Sequence, residues 1–431
     1  MTVWTVAAIL VVTVLSAGAR AEPKYDLLLR GGHVVDSRNG VSAVRDVAIA
    51  AGKIAAVESR IDPADAFKIV DVSGLYVTPG LIDIHTHVFA GTGEKGSYAG
   101  DNSVYPDGFT LRVGVTTIAD AGCAGWRNFD DFKAKVIDRA ITRVLVFLNI
   151  VGNGMRGGTF EDDLSDMEVQ PTADMVRRHR DVIVGIKTAH YKGPEWTPVE
   201  RAVEAGTLAD VPVMVDFGTN HPERPLAELV TKKLRPGDIY THMYSGLRGE
   251  QDASGHVNPG MWEGRTRGVL FDVGHGGGSF AWRIAAPAMQ EKFVPDTIST
   301  DLHIGSMNGG MKDMLNVMSK FLAMGMAVDD VIARATWNAA KAIRQDRLGH
   351  LSVGAPADVA VLRVERGRFG FVDSFGARMD GTDRLVCELT VRDGKVVYDL
   401  NGLTRPDWHT LPPDYRATGD GRWDAVPGSR R

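Results

Sequence analysis

The spacing of hydrophobic residues changes twice along the chain and divides it into three regions. In residues 25–70, short segments alternate hydrophobic and polar positions. Alternation with a period of two predicts β-strands, and glycine-containing breaks between them predict hairpin turns. The breaks fall at Gly31-Gly32, Asn39-Gly40 and Ala51-Gly52. The predicted strands are Asp26–Arg30, His33–Val35, Asp46–Ile49 and Lys53–Val57.

From residue 79 onward, longer apolar segments alternate with amphipathic ones. The segments that predict strands are Leu81–His87, Val115–Ala121, Val144–Val151, Val182–Thr188, Val211–Phe217, Asp238–Met243, Gly268–Val273 and Thr297–Leu302. The segments that predict helices are Asn128–Ala140, Thr172–His179, Pro198–Ala205 and Pro225–Leu234, with a final one at Val328–Arg344. Eight strands that alternate with helices predict a closed (β/α)8 TIM-like barrel.

The β pattern returns after Leu348. Its segments are Leu351–Gly354, Ala357–Leu362, Val386–Arg392 and Lys395–Tyr398. We therefore expect an α/β protein in which residues 79–344 form the barrel, and residues 22–78 and 345–403 together form a small β-sandwich. Residues 404–431 contain several prolines and few apolar residues, which predicts a loosely ordered tail.

The N-terminus has the features of an export signal. Val6 to Leu15 is almost wholly apolar, and Ala19-Arg20-Ala21 provides a small-x-small cleavage site. The segment before Val6 lacks Lys and Arg, and the apolar run is short for a membrane span. We expect residues 1–21 to be a signal peptide of a periplasmic or secreted protein, with an uncleaved anchor as the alternative. No stable membrane span is expected after cleavage.

Composition narrows the class of partner. The formal net charge of -5 and the lack of a Lys/Arg run argue against nucleic acid, so we expect a small-molecule substrate. Homo-oligomer formation is left open. Cys123 and Cys387 are the two cysteines, and either one disulfide or two free thiols fits the sequence.

Residue types that can bind metals lie at the C-terminal ends of the predicted barrel strands. His85 and His87 are one residue apart on the first strand, so their side chains point to the same face. Neutral imidazole is a common metal ligand, although a half-buried strand with two hydrogen-bonded histidines gives the same pattern. Later strands end in Lys187, Asp216, His242, His275 and Asp301. Because strand C-termini meet on one face of a barrel, this accumulation favours a metal site over separate structural roles, such as helix capping by Asp301.

Lys187 lies inside an apolar strand, where an ammonium is costly unless it is paired. Addition of carbon dioxide to its amine would give a carbamate whose two oxygens can bridge two cations. The alternative is a salt bridge to Asp216 or Asp301.

These motifs resemble those of the amidohydrolase superfamily. Pro79–His87 resembles its first-strand signature. The later strands resemble the branch of amidohydrolase/deacetylase metallohydrolases, which is related to dihydroorotases, hydantoinases and N-acyl-D-amino-acid deacetylases. The segments that carry this likeness are Thr241-His242, Phe271–Gly276, Ile298–His303, Gly349–Leu351 and Ala357–Val361. The resemblance runs from about Tyr25 to Tyr398.

The resemblance implies two divalent metal ions, expected to be zinc. His85, His87 and Asp301 would hold the first ion, and the Lys187 carbamate would bridge to a second ion bound by His242. The chain departs from the family at the end of strand five, where Asp216 replaces the usual histidine. Aspartate also ligates zinc, so we expect Asp216 to bind the second ion. The alternatives are that His221 reaches back, or that the second ion is weak or absent.

The family resemblance implies hydrolysis of an amide or ester bond in a small acylated substrate, such as an N-acyl amino acid. We expect a metal-activated hydroxide to attack, because coordination lowers the pKa of water to about 7. Asp301 is the expected general base and then acid. His275, beside Gly274 and Gly276, is expected to contact the substrate or its oxyanion, with a supporting role as the alternative.

Candidates for substrate binding follow several strands. Arg156 and Arg248 come after strands three and six, and a guanidinium can bind a carboxylate through two hydrogen bonds; the alternative is that both are surface arginines. Tyr191, Tyr244 and His303 are further candidates. A cyclic-amide hydrolase and a metal-poor, non-catalytic binding protein are the alternative functions. Asp216 is the feature that favours the binding protein.

Overall fold

The computed structural model describes residues 23–415. The predicted signal peptide lies outside the described residues, as does the part of the predicted tail from residue 416 onward. Within residues 23–415, every helix is too short or too polar to cross a membrane.

Two sheets make up the β structure of residues 23–415. The larger sheet contains β1 Tyr25–Asp36, β2 Val41–Ala50, β3 Lys53–Glu58, β4 Ala66–Asp71, β5 Tyr76–Pro79, β13 Val359–Val372, β14 Arg378–Arg392 and β15 Lys395–Asp399. The second contains β6 Leu81–Thr86, β7 Val115–Gly125, β8 Arg143–Asn149, β9 Ile183–Thr188, β10 Val213–Val215, β11 Ile239–Tyr240 and β12 Leu270–Phe271.

The helices follow or connect the strands of the second sheet. They are α1 Phe129–Phe132, α2 Val169–Arg178, α3 Thr197–Ala209, α4 Leu226–Glu228, α5 Pro259–Thr266, α6 Trp282–Gln290, α7 Ile304–Asn308, α8 Met314–Ala323, α9 Val328–Arg334 and α10 Trp337–Ala342. The single helix predicted over Val328–Arg344 is wrong, because the chain breaks between α9 and α10. At the break, the Thr336 hydroxyl donates to the Ile332 carbonyl at 2.7 Å, and the Thr336 backbone has left the helical region.

Strands β6 to β12 are parallel, and each pairs with the next one in the chain. The eighth predicted strand, Thr297–Leu302, contacts both edges of this curled sheet through single bridges, from Thr297 to Asp272 and from Leu302 to Thr86. It forms no continuous ladder, and side-chain carboxylates bind one of its backbone N–H groups and two of its hydroxyls. Asp83 accepts the Thr300 N–H at 3.0 Å, and Asp272 accepts the hydroxyls of Thr297 and Ser299 at 2.6 and 2.7 Å.

Both ends of the chain meet in the larger sheet. Its strand order is β15-β14-β13-β5-β1-β2-β3, and β4 also pairs with β1. Val77 of β5 lies between Val34 and Val361 of its two neighbours, and all three are buried in one hydrophobic cluster. The N- and C-terminal segments are therefore joined by backbone pairing as well as by a common core. Their division into the two layers of a sandwich stays a prediction.

Several predicted strand limits change in this sheet. Asp26–Arg30 and His33–Val35 form one strand, whose register shifts between Leu29 and Gly32. Leu351–Gly354 contains no strand. Strands β13 and β14 extend well beyond the predicted limits as a long hairpin, whose outer half is rich in partly exposed, charged residues and has few apolar positions.

The tip of this hairpin reaches the strand-end face of the second sheet. Asp373 accepts the Trp282 N–H at 3.1 Å, and the Ser374 hydroxyl donates to the Gly276 carbonyl at 3.2 Å. The larger sheet thereby fixes the loop after β12, which lies beside the candidate site.

Candidate metal centre

His85, His87 and Asp301 form a buried group whose ligand atoms all lie within 4.8 Å of one another. The Nε2 atom of His87 is 2.9 Å from Asp301 Oδ1, and Nε2 of His85 is 3.8 Å from the same oxygen. Asp301 comes from the irregular eighth segment and has a φ of +53°, in the left-handed region that non-glycine residues rarely adopt. The predicted first metal set is therefore brought together in space.

Hydrogen bonds behind the two rings orient them. Thr241 donates its hydroxyl to Asp272 at 2.7 Å, so its oxygen is free to accept the Nδ1–H of His85 at 2.9 Å. This leaves the Nε2 atom of His85 without a proton, as a metal ligand requires. The Nδ1 atom of His87 faces Cys123 Sγ at 3.2 Å.

The ionisation of the group suits a cation. Burial lowers the pKa of His85 to about 3, so its ring is neutral near pH 7. Burial alone would raise the pKa of Asp301, but His303 and His87 hold it well below its usual value. Two neutral imidazoles and one carboxylate are a donor set that zinc accepts, so these residues fit a divalent cation.

Lys187 lies fully buried at the end of β9, with Nζ 3.2 Å from His85 Nε2 and 3.7 Å from Met214 Sδ. Within residues 23–415 it forms no ion pair with Asp216 or Asp301, the salt bridges that the sequence left open. Burial lowers its pKa. The lysine is thus an amine beside the first donor group without a carboxylate partner.

Asp216 and His242 form a second group. His242 Nε2 is 3.4 Å from Asp216 Oδ2. Arg248 donates to Asp216 Oδ1 at 2.8 Å, so this predicted substrate arginine is bound to a predicted metal ligand. Burial alone would raise the pKa of Asp216, but Arg248 and His242 hold it well below its usual value.

His190 belongs to the second group, although the sequence analysis missed it. Its Nε2 atom is 3.5 Å from Asp216 Oδ2, and its Nδ1 atom is 2.6 Å from Glu161. It lies two positions beyond β9, outside any strand, so the strand-end pattern could not identify it. The ring of Tyr98, also missed, lies 4.5 Å from that of His87 and 5.6 Å from that of His190.

His221 does not contact Asp216, because its Nε2 atom hydrogen-bonds the Lys192 carbonyl at 2.7 Å. The alternative in which His221 replaces the strand-five ligand therefore has no support in this structure.

His275 is engaged on both ring nitrogens. Nδ1 lies 2.9 Å from the Gly276 carbonyl, and Nε2 lies 2.5 Å from Nζ of the buried Lys320. Its ring stacks on Phe280 at 4.6 Å. The geometry favours the supporting role that the sequence left as the alternative, and direct contact with substrate stays a prediction.

The remaining substrate candidates lie in different surroundings. Tyr244 is a core residue whose hydroxyl donates to the Phe293 carbonyl at 2.9 Å. Tyr191 hydrogen-bonds Glu195, and Arg156 pairs with Glu94 in a more exposed position. His303 is the candidate nearest the first group, with Nδ1 3.4 Å from Asp301 Oδ1.

The two cysteines are buried free thiols. Cys123 contacts His87, whereas Cys387 lies on β14 with Sγ 3.2 Å from the Thr390 hydroxyl. The disulfide that the sequence left open is not formed.

Curated proteins with similar sequences cover most of the chain. Residues 282–397 match the amidohydrolase family profile. A deacetylase of Agrobacterium fabrum is 33% identical over 335 residues, which are 75% of this chain and 79% of the relative. A deacetylase of Enterococcus faecalis is 30% identical over 383 residues, which are 87% of this chain and 99% of the relative.

Solved structures match over a similar extent. A crystal structure of an adenine deaminase superposes with a TM-score of 0.79 at 28% identity and covers 87% of this chain and all 100% of its own. A dihydroorotase structure superposes with a TM-score of 0.75 at 29% identity, covering 86% of this chain and 99% of its own.

Proposed function

Because the chain belongs to the amidohydrolase family and is a hydrolase of carbon–nitrogen bonds, we propose that it cleaves the amide bond of a small acylated substrate, such as an N-acyl amino acid. The observation that carries the proposal is the buried group of His85, His87 and Asp301. The deacetylase names of two relatives support the substrate class.

His85, His87 and Asp301 would hold one divalent cation, zinc in our proposal, and His242 with Asp216 would contribute to a second. A bound divalent cation supplies Lewis acidity and lowers the pKa of water. Lys187 would join the two groups as a carbamate, in which its amine nitrogen bonds to the carbon of carbon dioxide and releases one proton. Its burial supports this, since a neutral amine is the form that reacts.

Asp301 is the proposed general base. Its carboxyl is kept ionised by His303 and His87, so it can accept the proton of the attacking water and then donate it to the leaving nitrogen. The site is enclosed by buried groups, which keeps competing water away from these charges. His303 would hold Asp301 in place through the backbone carbonyl of Asp301, 2.8 Å from its Nδ1.

Hydrolysis of a cyclic amide is the second candidate function. The superposition on a dihydroorotase structure favours it, because that match covers nearly the whole of the other chain. The same donor groups would serve both reactions, so the substrate must be decided by assay.

The test combines metal analysis with a substrate panel. Protein purified with bicarbonate and without chelator is analysed for zinc, and then assayed with N-acetyl and N-formyl amino acids, dihydroorotate, hydantoins and adenine. We expect release of a free amino acid, with an Asp301→Asn variant as the inactive control. Activity on dihydroorotate or hydantoins alone would select the cyclic-amide reaction. A protein that binds no zinc and cleaves none of these compounds would overturn the hydrolase proposal and leave the binding protein.

A further inference from the structure

We propose that His190, which lies in the loop after β9, is a ligand of the second cation and that Glu161 orients its ring. The inference rests on the proposed cation sites and extends them to a residue outside the strand ends. It starts from Asp216, which stands where the resemblance implies a histidine. Asp216 supplies a carboxylate there, and an imidazole from another segment would add a nitrogen ligand to the second group.

Asp216 has one oxygen available for a cation. Its Oδ1 atom accepts from Arg248 at 2.8 Å and from the Gly218 N–H at 3.2 Å. The other oxygen, Oδ2, faces His242 Nε2 at 3.4 Å and His190 Nε2 at 3.5 Å. Two imidazoles on different segments are therefore directed at a single carboxylate oxygen.

The partners of the Nδ1 atoms leave the Nε2 atom of each ring, in its neutral form, free to bind a cation. His242 Nδ1 is 2.5 Å from the Gly274 carbonyl, and His190 Nδ1 is 2.6 Å from the carboxylate of Glu161. Both partners accept hydrogen bonds and cannot donate them, so each Nδ1 atom must carry the proton. With both rings in the neutral form, two nitrogen lone pairs lie beside one carboxylate oxygen, and these three groups repel one another. A shared divalent cation removes that repulsion.

The separations agree with a cation. Ligand atoms roughly 2.0–2.1 Å from a tetrahedral zinc ion lie about 3.3–3.4 Å from one another. The two nitrogen-to-oxygen distances to Asp216 Oδ2, 3.4 and 3.5 Å, are close to that value. Because the pair His190–Glu161 repeats the carboxylate–histidine arrangement common behind metal ligands, Glu161 would fix the ring as Thr241 fixes His85.

The backbone holds His190 in an uncommon conformation that presents the ring to Asp216. Its φ is +59°, which costs on the order of 1 kcal/mol for a residue with a side chain. The neighbouring loop is packed tightly against it, since a Cβ on Gly218 would lie 2.5 Å from the Tyr191 carbonyl oxygen. Glu161 is itself buried, at 5% exposure. A role of His190 in cation binding would explain why the chain keeps this strained backbone conformation.

The test uses His190→Gly, because glycine adopts a positive φ without strain and the substitution removes only the ring. The matched control is His221→Gly, which removes a half-buried histidine from the loop after β10. Zinc affinities of the bicarbonate-treated full chain are measured by competition with a chromogenic chelator, and cobalt-substituted protein is followed by its visible absorption.

We expect two binding events in the natural protein and in His221→Gly. His190→Gly should keep the first event and weaken the second at least 100-fold, and added imidazole should restore it together with the cobalt spectrum. Glu161→Gln should weaken the second event by about 10- to 100-fold.

Unchanged second-site affinity in His190→Gly would overturn the assignment while leaving the proposed hydrolase intact. A natural protein that binds one cation would also overturn it, with the imidazoles then holding protons in place of the ion. If the natural protein binds no cation at all, the proposed function itself is overturned.

Discussion

The Nε2 atom of His87 lies 2.9 Å from Oδ1 of Asp301, and this contact joins the first strand of the curled sheet to the segment that closes it. In the proposed function, Asp301 is both a ligand of the first cation and the general base. An Asp301→Asn variant keeps the shape of the side chain but loses its charge and its ability to accept a proton. We expect kcat/KM to fall by roughly 10²- to 10⁴-fold, as for other general bases.

The measurement is steady-state hydrolysis of the best substrate of the panel, with zinc content determined on the same sample. An Asp313→Asn variant is a useful control, because Asp313 is a half-buried carboxylate that caps α8 and lies outside both donor groups. An Asp301→Asn protein with near-natural activity would rule out Asp301 as the base.

The strand-end pattern was sufficient to predict which candidate residues lie close together in most cases, but not in all. Parallel strands of one sheet bring their C-terminal ends together, so His85, Lys187 and His242 could be placed in one site from their positions alone. His190 could not, because it enters the site from a loop through a positive φ that the sequence does not show. The pairing of Arg248 with Asp216 likewise depends on tertiary contacts between loops.

The fold was predicted where hydrophobic periodicity was strong. The buried strands β6 to β9 each begin within two positions of the predicted first residue. The segment over Thr297–Leu302 was predicted as a full strand, but carboxylates such as Asp83 replace part of its ladder. The predicted strands are too short for the long hairpin of β13 and β14, because its outer half is rich in charged, partly exposed residues and only a few apolar positions such as Phe369 and Phe371 interrupt them.

The hydroxyl of Thr241 is expected to control cation affinity through His85. Thr241→Val keeps the shape of the side chain but removes the acceptor for His85 Nδ1, so the ring can rotate or change tautomer. We expect the affinity of the first site for zinc to fall by about 10- to 100-fold. Thr241→Ser retains the hydroxyl and should stay close to the natural affinity. Equal affinities in the valine and serine variants would show that Thr241 does not orient the ring.

Gly274 is expected to be intolerant of any side chain. Its φ is +45°, and a Cβ there would lie 2.3 Å from Thr241 Oγ1 and 2.8 Å from His242 Nδ1. Gly40→Ala is the control, since Gly40 has a φ of +63° and open space around the added Cβ. Both variants carry a conformational cost of roughly 1–2 kcal/mol, but only Gly274→Ala displaces groups that position the donors.

Thermal unfolding measures the conformational cost of each variant, and zinc titration measures whether the groups that position the donors are displaced. We expect Gly40→Ala to lower Tm by a few degrees and to bind zinc normally, and Gly274→Ala to lower Tm further and lose zinc affinity. Normal zinc binding by a folded Gly274→Ala protein would contradict the geometry around this glycine.

Lys320 should make the stability of the protein depend on pH above neutrality. Burial lowers its pKa to about 7 in the folded protein, from an ordinary value of 10.5. Between these values the unfolded chain binds more protons than the folded one, so the free energy of unfolding rises as the pH increases from about 7 towards 10.5. Below pH 7 both states are protonated, and the cost of burying the charge is present in full. The gain is on the order of 1 kcal/mol per pH unit.

A Lys320→Met variant lacks the titrating amine and should show a flatter dependence over the same range. Urea unfolding at pH 7, 8 and 9 measures the difference, with Lys395→Met, which removes an exposed lysine of β15, as the control. The natural protein and the Lys395 variant should gain stability in parallel, while Lys320→Met gains less. Because Lys320 Nζ lies 2.5 Å from His275 Nε2 and 2.8 Å from the Gly310 carbonyl, the same titration should alter how His275 is held. Parallel stability curves for all three proteins would mean that Lys320 keeps an ordinary pKa in the folded state.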